Sequence, residues 1–143
     1  MTSTQIKRLP YGTSDFRSIR TENYVYVDKT RFIEMLELES NKNHFFIRPR
    51  KFGKSLFFSM LSYYYDINCA DQFDQLFGDL YIGQHPTPER NSYAILEFDF
   101  SGLDTSSEEK FTVSFSDKVQ DAVIFFFNRY AKKFKSTAAF IHQ

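Results

Sequence analysis

The residues best placed to do chemistry lie in one basic turn, Arg48-Pro-Arg-Lys-Phe-Gly-Lys-Ser55. A short apolar run at 45–47 precedes this turn, and a dense apolar segment at 56–65 follows it. Gly-Lys-Ser between a strand and a helix is typical of a phosphate-binding loop, where N–H groups at the helix start face an anion. In such a loop Lys54 reaches the terminal phosphates and the Ser55 hydroxyl ligates magnesium. The pattern therefore predicts binding of ATP or ADP with Mg²⁺.

The turn departs from the full phosphate-loop pattern at Arg48, where that pattern has glycine. Arginine lacks the freedom of glycine at positive φ, so the loop must turn differently or gain affinity elsewhere. Four positive charges fall within seven residues, with no acid among them. The candidate nucleotide-binding residues are Arg48, Arg50, Lys51, Phe52, Gly53, Lys54, Ser55 and Leu56. The alternative interpretation is a chance Gly-Lys-Ser in a solvated basic turn.

Length and composition limit the class of protein. At 143 residues the chain is one domain at most. Its single cysteine, Cys69, excludes an intramolecular disulfide and fits a reducing compartment. No apolar run approaches the roughly 20 residues that cross a bilayer, and no apolar stretch follows the basic residues of the N-terminus as in a secretory signal. We therefore expect a cytoplasmic protein without a membrane partner.

Charge is unevenly distributed although the formal net charge is +0. Residues 1–54 hold eleven Lys/Arg and six Asp/Glu, whereas residues 66–109 hold ten acids and one base. A basic N-terminal part would attract an anionic ligand. Nucleic acid is a second candidate partner, bound by the basic loop and stacked on aromatic side chains. The neutral total disfavours it, since nucleic-acid-binding domains usually have a basic excess. A structural remnant that binds nothing is the third interpretation.

Apolar patterns predict short strands between helices. The predicted strands are 24–27, 45–47 and 93–100. The predicted helices are a short one through Ile19, then 29–38, the stretch after Gly53, part of 69–83 ending at Gly78, and 108–134. These elements indicate an α/β fold: the N-terminal part of a P-loop NTPase-type parallel sheet flanked by helices, with too few strands to be complete. An unpaired edge of such a sheet would favour self-association.

Polar residues at fixed positions are predicted to begin the helices. Ser14 is the predicted cap of the first helix, and Asp28 or Thr30 that of the second. Ser106 with Glu109 forms a predicted capping box before the long last helix.

Other chemically active residues are sparse. Glu97 and Asp99 are two residues apart, so they would lie on one face of the predicted strand. They could form a paired-carboxylate site, but a structural role on the solvent-facing side of the strand is favoured because no nucleophile partner is identifiable. The three histidines are scattered along the chain and have no metal-site spacing. Cys69 is expected to be a packed thiol.

Several stretches together resemble a bacterial family of predicted AAA-ATPase-like proteins. They are LPYGTSDFRSIR (9–20), YVYVDKTRFIEML (24–36), FFIRPRKFGKSLFFSML (45–61), FGDLYIG (77–83) and YAILEFDFSG (93–102). The resemblance implies an ATP-binding P-loop fold with arginines inside the loop. The polar residues 1–23 are predicted to be an N-terminal lead with a short helix, and the resemblance implies a partial AAA-ATPase-like P-loop domain at 24–143. Members of the family often carry a C-terminal nuclease-like domain of the PD-(D/E)xK type.

The resemblance also implies roles for individual residues. Gly53, Lys54 and Ser55 match the phosphate and magnesium positions. Upstream, the residues that match the base side of related ATPases are Tyr26, Asp28, Lys29 and Thr30. Asp28 and Thr30 have an equally good interpretation as plain helix caps.

Hydrolysis by this chain is expected to be poor. P-loop enzymes need an acidic strand to hold magnesium and position water. Asp99 is the candidate within 93–99, but Glu97 interrupts its apolar run. In the family that this chain resembles, the acidic strand follows a long helix, which corresponds here to the predicted helix near 108–134. That strand would begin about where the sequence stops.

Overall fold

The computed structural model describes the backbone of residues 7–40 and 42–141 and the side chains of 7–40 and 42–134. In these ranges the regular structure is helical. In chain order the helices are α1 (Phe16–Thr21), α2 (Arg31–Leu38), α3 (Lys54–Tyr65), a 3₁₀ helix (Ile67–Gln72), α4 (Phe73–Phe77), α5 (Tyr81–Gln84) and α6 (Glu108–Ile141). The chain divides into two compact units, Met1–Tyr93 and Ala94–Gln143. The predicted boundary between residues 23 and 24 stays a prediction.

The predicted parallel sheet was wrong. Within the described ranges no strand forms, and the bridges are the isolated pairs Arg8–Tyr24 and Asp66–Tyr93. Strands buried in a parallel sheet need paired backbones and covered side chains on both faces. Phe45 and Ile47 are instead 94% and 88% exposed. The apolar runs at 24–27, 45–47 and 93–100 therefore lie outside any sheet, and the P-loop-type α/β class does not describe this chain.

An apolar core holds the first unit together. Its buried side chains come from five of the helices and the turn before α5; they are Phe16, Ile33, Met60, Tyr64, Phe73, Leu76, Phe77, Leu80 and Ile82. Met60 and Tyr64 are four residues apart and so lie on one face of α3. The rings of Phe16 and Phe77 stack at 4.9 Å, and that of Tyr64 meets Phe77 edge-on at 5.6 Å. This core fixes α3, the helix that follows the basic turn.

A polar network joins α1 to α3. Asp15, rather than the predicted Ser14, is the N-cap of α1, because its Oδ2 accepts the N–H of Ser18 at 2.7 Å. Its Oδ1 accepts the hydroxyl of Tyr63 at 3.1 Å. The Phe16 N–H in turn donates to the Ser59 hydroxyl at 2.9 Å. The start of α1 is thus bound to one side of α3.

The second unit contains the predicted long helix, which runs as α6 to Ile141. Its first turn is capped by Ser107 rather than the predicted Ser106, since Ser107 Oγ accepts the Lys110 N–H at 3.2 Å. Tyr130 is buried, and its hydroxyl accepts the Ile95 N–H at 2.8 Å. No helix in the described part of the chain is both long and apolar enough to cross a membrane.

Candidate functional site

The basic turn leads directly into the start of α3, where, in the part of the chain that the structure describes, no side-chain cap satisfies the first N–H groups. Gly53 is the N-cap of α3 with φ 74°, and no side chain caps this end among the described residues. The Phe57 N–H donates to the Gly53 oxygen at 2.9 Å, which begins the helical ladder. The N–H groups of Lys54, Ser55 and Leu56 precede that ladder and have no acceptor within the helix. Because the helix dipole also favours negative charge here, this end of α3 can accept an anion.

The Lys54 side chain makes a hydrogen bond across the basic turn. Its Nζ donates to the backbone oxygen of Arg48 at 2.8 Å, which joins the two ends of the basic turn. Lys51, between them, has φ 65°, a conformation that non-glycine residues seldom adopt. All side chains from Arg48 to Ser55 are exposed. The contact therefore shapes a loop whose cations remain open to solvent.

The electrostatics of the turn favour an anion. Arg48, Arg50, Lys51 and Lys54 lie in a stretch without acids, from residue 40 to residue 65. In the described part of the chain none of these four side chains forms an ion pair with a carboxylate. Unpaired cations clustered on one loop raise the local concentration of anions.

The two predicted magnesium residues belong to different units. Ser55 is exposed at the start of α3, whereas Asp99 lies in the second unit. Asp99 Oδ1 accepts the Ser101 N–H at 2.9 Å, and this bond holds the pKa of Asp99 below its usual value. Within the described residues no group of three or more His, Cys, Asp or Glu could hold a metal ion. Mg²⁺ bound to a nucleotide needs few protein ligands, so the Ser55 hydroxyl fits one of them.

The residues predicted on the base side use most of their polar atoms internally. The Tyr26 hydroxyl donates to Met60 Sδ at 3.3 Å. Asp28 Oδ1 accepts the N–H and the hydroxyl of Thr30, at 2.8 and 2.7 Å. Thr30 is the N-cap residue of α2, as predicted, but its side chain makes no capping hydrogen bond to the helix. Asp28 holds this N-cap residue through its two bonds to Thr30. Lys29 is exposed. The base-side assignment of these four residues stays a prediction.

The charge state of Asp28 follows from those contacts. Partial burial raises the pKa of Asp28, but hydrogen bonds from the Tyr81 and Thr30 N–H groups and the Thr30 hydroxyl outweigh it. The net pKa is lowered, so the carboxylate stays ionised and acts as an acceptor only.

A shallow cavity of about 430 Å³ lies elsewhere in the first unit. Its lining residues are Glu34, Glu37, Leu38, His85, Pro86, Thr87 and Pro88. None of them was predicted as a site residue, and none belongs to the basic turn. Sequence reasoning also missed the Asp28–Tyr81 contact, because 53 positions separate the partners and no local pattern joins them.

Two comparisons with known proteins found matches to this chain. A family model described as "Predicted AAA-ATPase" matches residues 10–142. A relative from Azotobacter chroococcum mcd 1, "Uncharacterized protein in vnfD 5'region", is 47% identical over 57 residues. That match covers 39% of this chain and 11% of the relative's own length. No solved structure gave a significant match.

Proposed function

The chain belongs to the predicted AAA-ATPase family, and we propose that its residues 48–55 bind the phosphates of ATP or ADP. One observation carries the proposal: the Lys54 ammonium and the Arg48 oxygen close an exposed cationic loop at the uncapped start of α3. Helix donors, the dipole and four cations then act on the same ligand. This local arrangement does not depend on a sheet.

Each residue of the loop has a separate task in this proposal. Lys54 exchanges its contact with the Arg48 oxygen for a phosphate oxygen, which is a stronger, charge-assisted partner. Arg48 and Arg50 contact further phosphate oxygens, where one such hydrogen bond contributes roughly 1.5–3 kcal/mol. The Ser55 hydroxyl holds Mg²⁺, and the ion, when bound, neutralises charge on the phosphates.

The test is calorimetric titration of the chain with Mg-ATP. Lys54→Ala should abolish measurable binding, because it removes the cation nearest to the phosphates. Lys132→Ala is the matched control: it removes an exposed lysine from α6 and should leave the affinity unchanged. Equal affinity in wild type and Lys54→Ala would refute the assignment.

Single-stranded nucleic acid is the second candidate, since Phe52 is 65% exposed beside the loop cations and offers a stacking surface. Phosphate contacts along a strand make affinity fall steeply with salt. Filter binding of an oligonucleotide over a range of salt concentrations separates the two ligands. A flat, weak response favours the nucleotide.

A further inference from the structure

The long helix α6 has a second apolar face, which its own unit leaves open to solvent. Tyr130 is buried and contacts Phe126 at 5.0 Å between ring centroids, so these two residues mark the face that packs inward. Ile124 and Phe127 are each 58% exposed, and Phe134 is 43% exposed. These three apolar residues therefore lie on a different side of the helix.

The apolar residues on that side follow the spacing of a helix–helix contact. Ile124, Phe127, Ala131 and Phe134 are separated by three, four and three residues, which places them in one line along α6, the exposed stripe. The ring centroids of Phe127 and Phe134 are 6.3 Å apart, so the stripe is continuous. Phe125 is 63% exposed but lies off the stripe, because consecutive helical residues are about 100° apart around the axis.

The side chains of the exposed stripe have sizes that match a second copy of the same stripe. If two copies of α6 lie antiparallel around residue 129, Phe127 of one copy meets the small Ala131 of the other, and Ile124 meets Phe134. Two-fold symmetry repeats both pairs, which gives four apolar layers. A parallel pair would instead set Phe127 against Phe127 and Ala131 against Ala131. The antiparallel pair packs more evenly, because large side chains then face small ones.

The distribution of charge along α6 also favours the antiparallel direction. Residues 108–121 hold four acids and two bases, whereas residues 122–134 hold three bases and no acid. In an antiparallel pair the acidic end of each helix lies towards the basic end of the other copy, while a parallel pair would align like charges. The helix dipoles act in the same sense, because antiparallel helices place opposite partial charges side by side.

From this stripe and these charges we infer that α6 binds a second copy of this chain, antiparallel, through Ile124, Phe127, Ala131 and Phe134. The inference is independent of nucleotide binding, since the basic turn belongs to the first unit and α6 to the second. The stripe spans 11 residues, or about 16 Å of helix. So short a contact buries less than a standard interface of about 1,600 Å². The dimer is therefore weak, and its population depends on the concentration of the chain.

Sedimentation equilibrium of the full chain tests the dimer. Between about 1 μM and 1 mM, a range that includes the dissociation constants of weak complexes, the mass should rise from one chain towards two. Phe127→Gln and Ile124→Gln should each raise the dissociation constant by about tenfold or more, because one substitution acts twice in a symmetric contact. Phe125→Gln is the matched control: it removes an equally exposed apolar side chain beside the stripe and should leave the dissociation constant unchanged. Equal helix content by circular dichroism shows that each variant is folded.

Cysteine cross-linking tests the direction of the two helices. In the antiparallel pair around residue 129, residue 128 lies near its own copy, so Asn128→Cys should be joined to its copy by a short bismaleimide. Position 121 is one heptad earlier on the same flank, and its two copies are about 24 Å apart along the axis. Asp121→Cys should therefore stay uncoupled. Cys69 is buried, so the wild-type chain should stay uncoupled as well.

Three results would overturn the inference. A mass of one chain over the whole concentration range would mean that the exposed stripe does not bind a second copy. If Phe125→Gln weakens the dimer as much as Phe127→Gln does, the contact is not made through the stripe. If Asp121→Cys and Asn128→Cys cross-link to the same extent, the helices are parallel. None of these results bears on nucleotide binding by residues 48–55.

Discussion

Gly53 shows how a residue without a side chain shapes the loop through its backbone conformation. Its φ is 74°, and a Cβ added there would meet no atom within 4 Å. Gly53→Ala should therefore cost about 1 kcal/mol of unfolding free energy through backbone strain alone. It should also weaken Mg-ATP binding, because alanine prefers negative φ and would turn the first N–H groups of α3. Urea unfolding and calorimetry measure the two effects.

Gly12 provides the matched control for Gly53. Its φ is 75° and the space around it is equally open. Gly12→Ala should lose a similar unfolding free energy and keep the affinity for nucleotide. If both variants bind Mg-ATP as wild type does, the geometry of the helix start is not part of the site.

At the residue scale the sequence predicted the loop better than its surroundings. Gly53 before Lys54 correctly marked the start of α3, because a glycine before an apolar helix is a strong local signal. The positive φ of Lys51 had no such signal, since lysine carries no preference for that conformation. The base-side roles of Tyr26 and Thr30 stay predictions; Thr30 is fully buried, and Tyr26 is partly buried against the core of the first unit.

At the scale of elements, helices were predictable and strands were not. The apolar periodicity of α2, α3 and α6 is local, so each helix could be predicted from its own sequence. A strand also needs a neighbour to pair with, and the apolar run 45–47 carries no information about one. The predicted self-association through a sheet edge has no sheet to support it in the described residues. Self-association itself stays a prediction.

The cap of α1 gives an element-scale prediction. Asp15→Ala removes the acceptor of the Ser18 N–H and that of the Tyr63 hydroxyl together. We expect a loss of about 2 kcal/mol of unfolding free energy, since a cap contributes roughly 1 kcal/mol and a part-buried hydrogen bond a similar amount. Urea unfolding followed by circular dichroism measures it.

Ser14→Ala is the control for this helix start, because Ser14 is the exposed neighbour that the sequence suggested as the cap. It should change the unfolding free energy by less than about 0.5 kcal/mol. If Ser14→Ala lowers the unfolding free energy more than Asp15→Ala does, Ser14 and not Asp15 is the cap of α1.

At the scale of the whole molecule, burial differs between the two units. The first contains the aromatic core, whereas Tyr130 is the buried side chain among residues 94–134 of the second. Phe125 and Phe127 of α6 are 63% and 58% exposed. An aromatic content of 19%, with 18 Phe and 9 Tyr, predicts ample material for a core, but composition cannot say which unit receives it. The distribution depends on contacts between distant segments, which no local pattern encodes.

Ionisation of tyrosines should set the alkaline limit of the fold. Burial raises the pKa of Tyr26 to about 12 and outweighs the lowering effects of the Lys29 backbone and Arg20. Burial likewise raises the pKa of Tyr64 and Tyr65. In the unfolded chain a tyrosine has a pKa of about 10. Between about pH 10 and 12 the native state therefore holds more protons than the unfolded state, and the unfolding free energy falls as pH rises.

Tyr26→Phe tests this limit because it removes one of the shifted hydroxyls and keeps the ring. The variant loses the bond to Met60 at every pH below the transition, which lowers its stability by a constant amount. Its unfolding free energy should then fall less steeply than that of wild type above about pH 10.

Tyr11→Phe is the control, since Tyr11 is 99% exposed and its removal should leave the wild-type slope. Urea unfolding at a series of pH values gives the slopes. Identical slopes for Tyr26→Phe and wild type would mean that Tyr26 ionises alike in the folded and unfolded chains, and that its burial does not limit the fold at high pH.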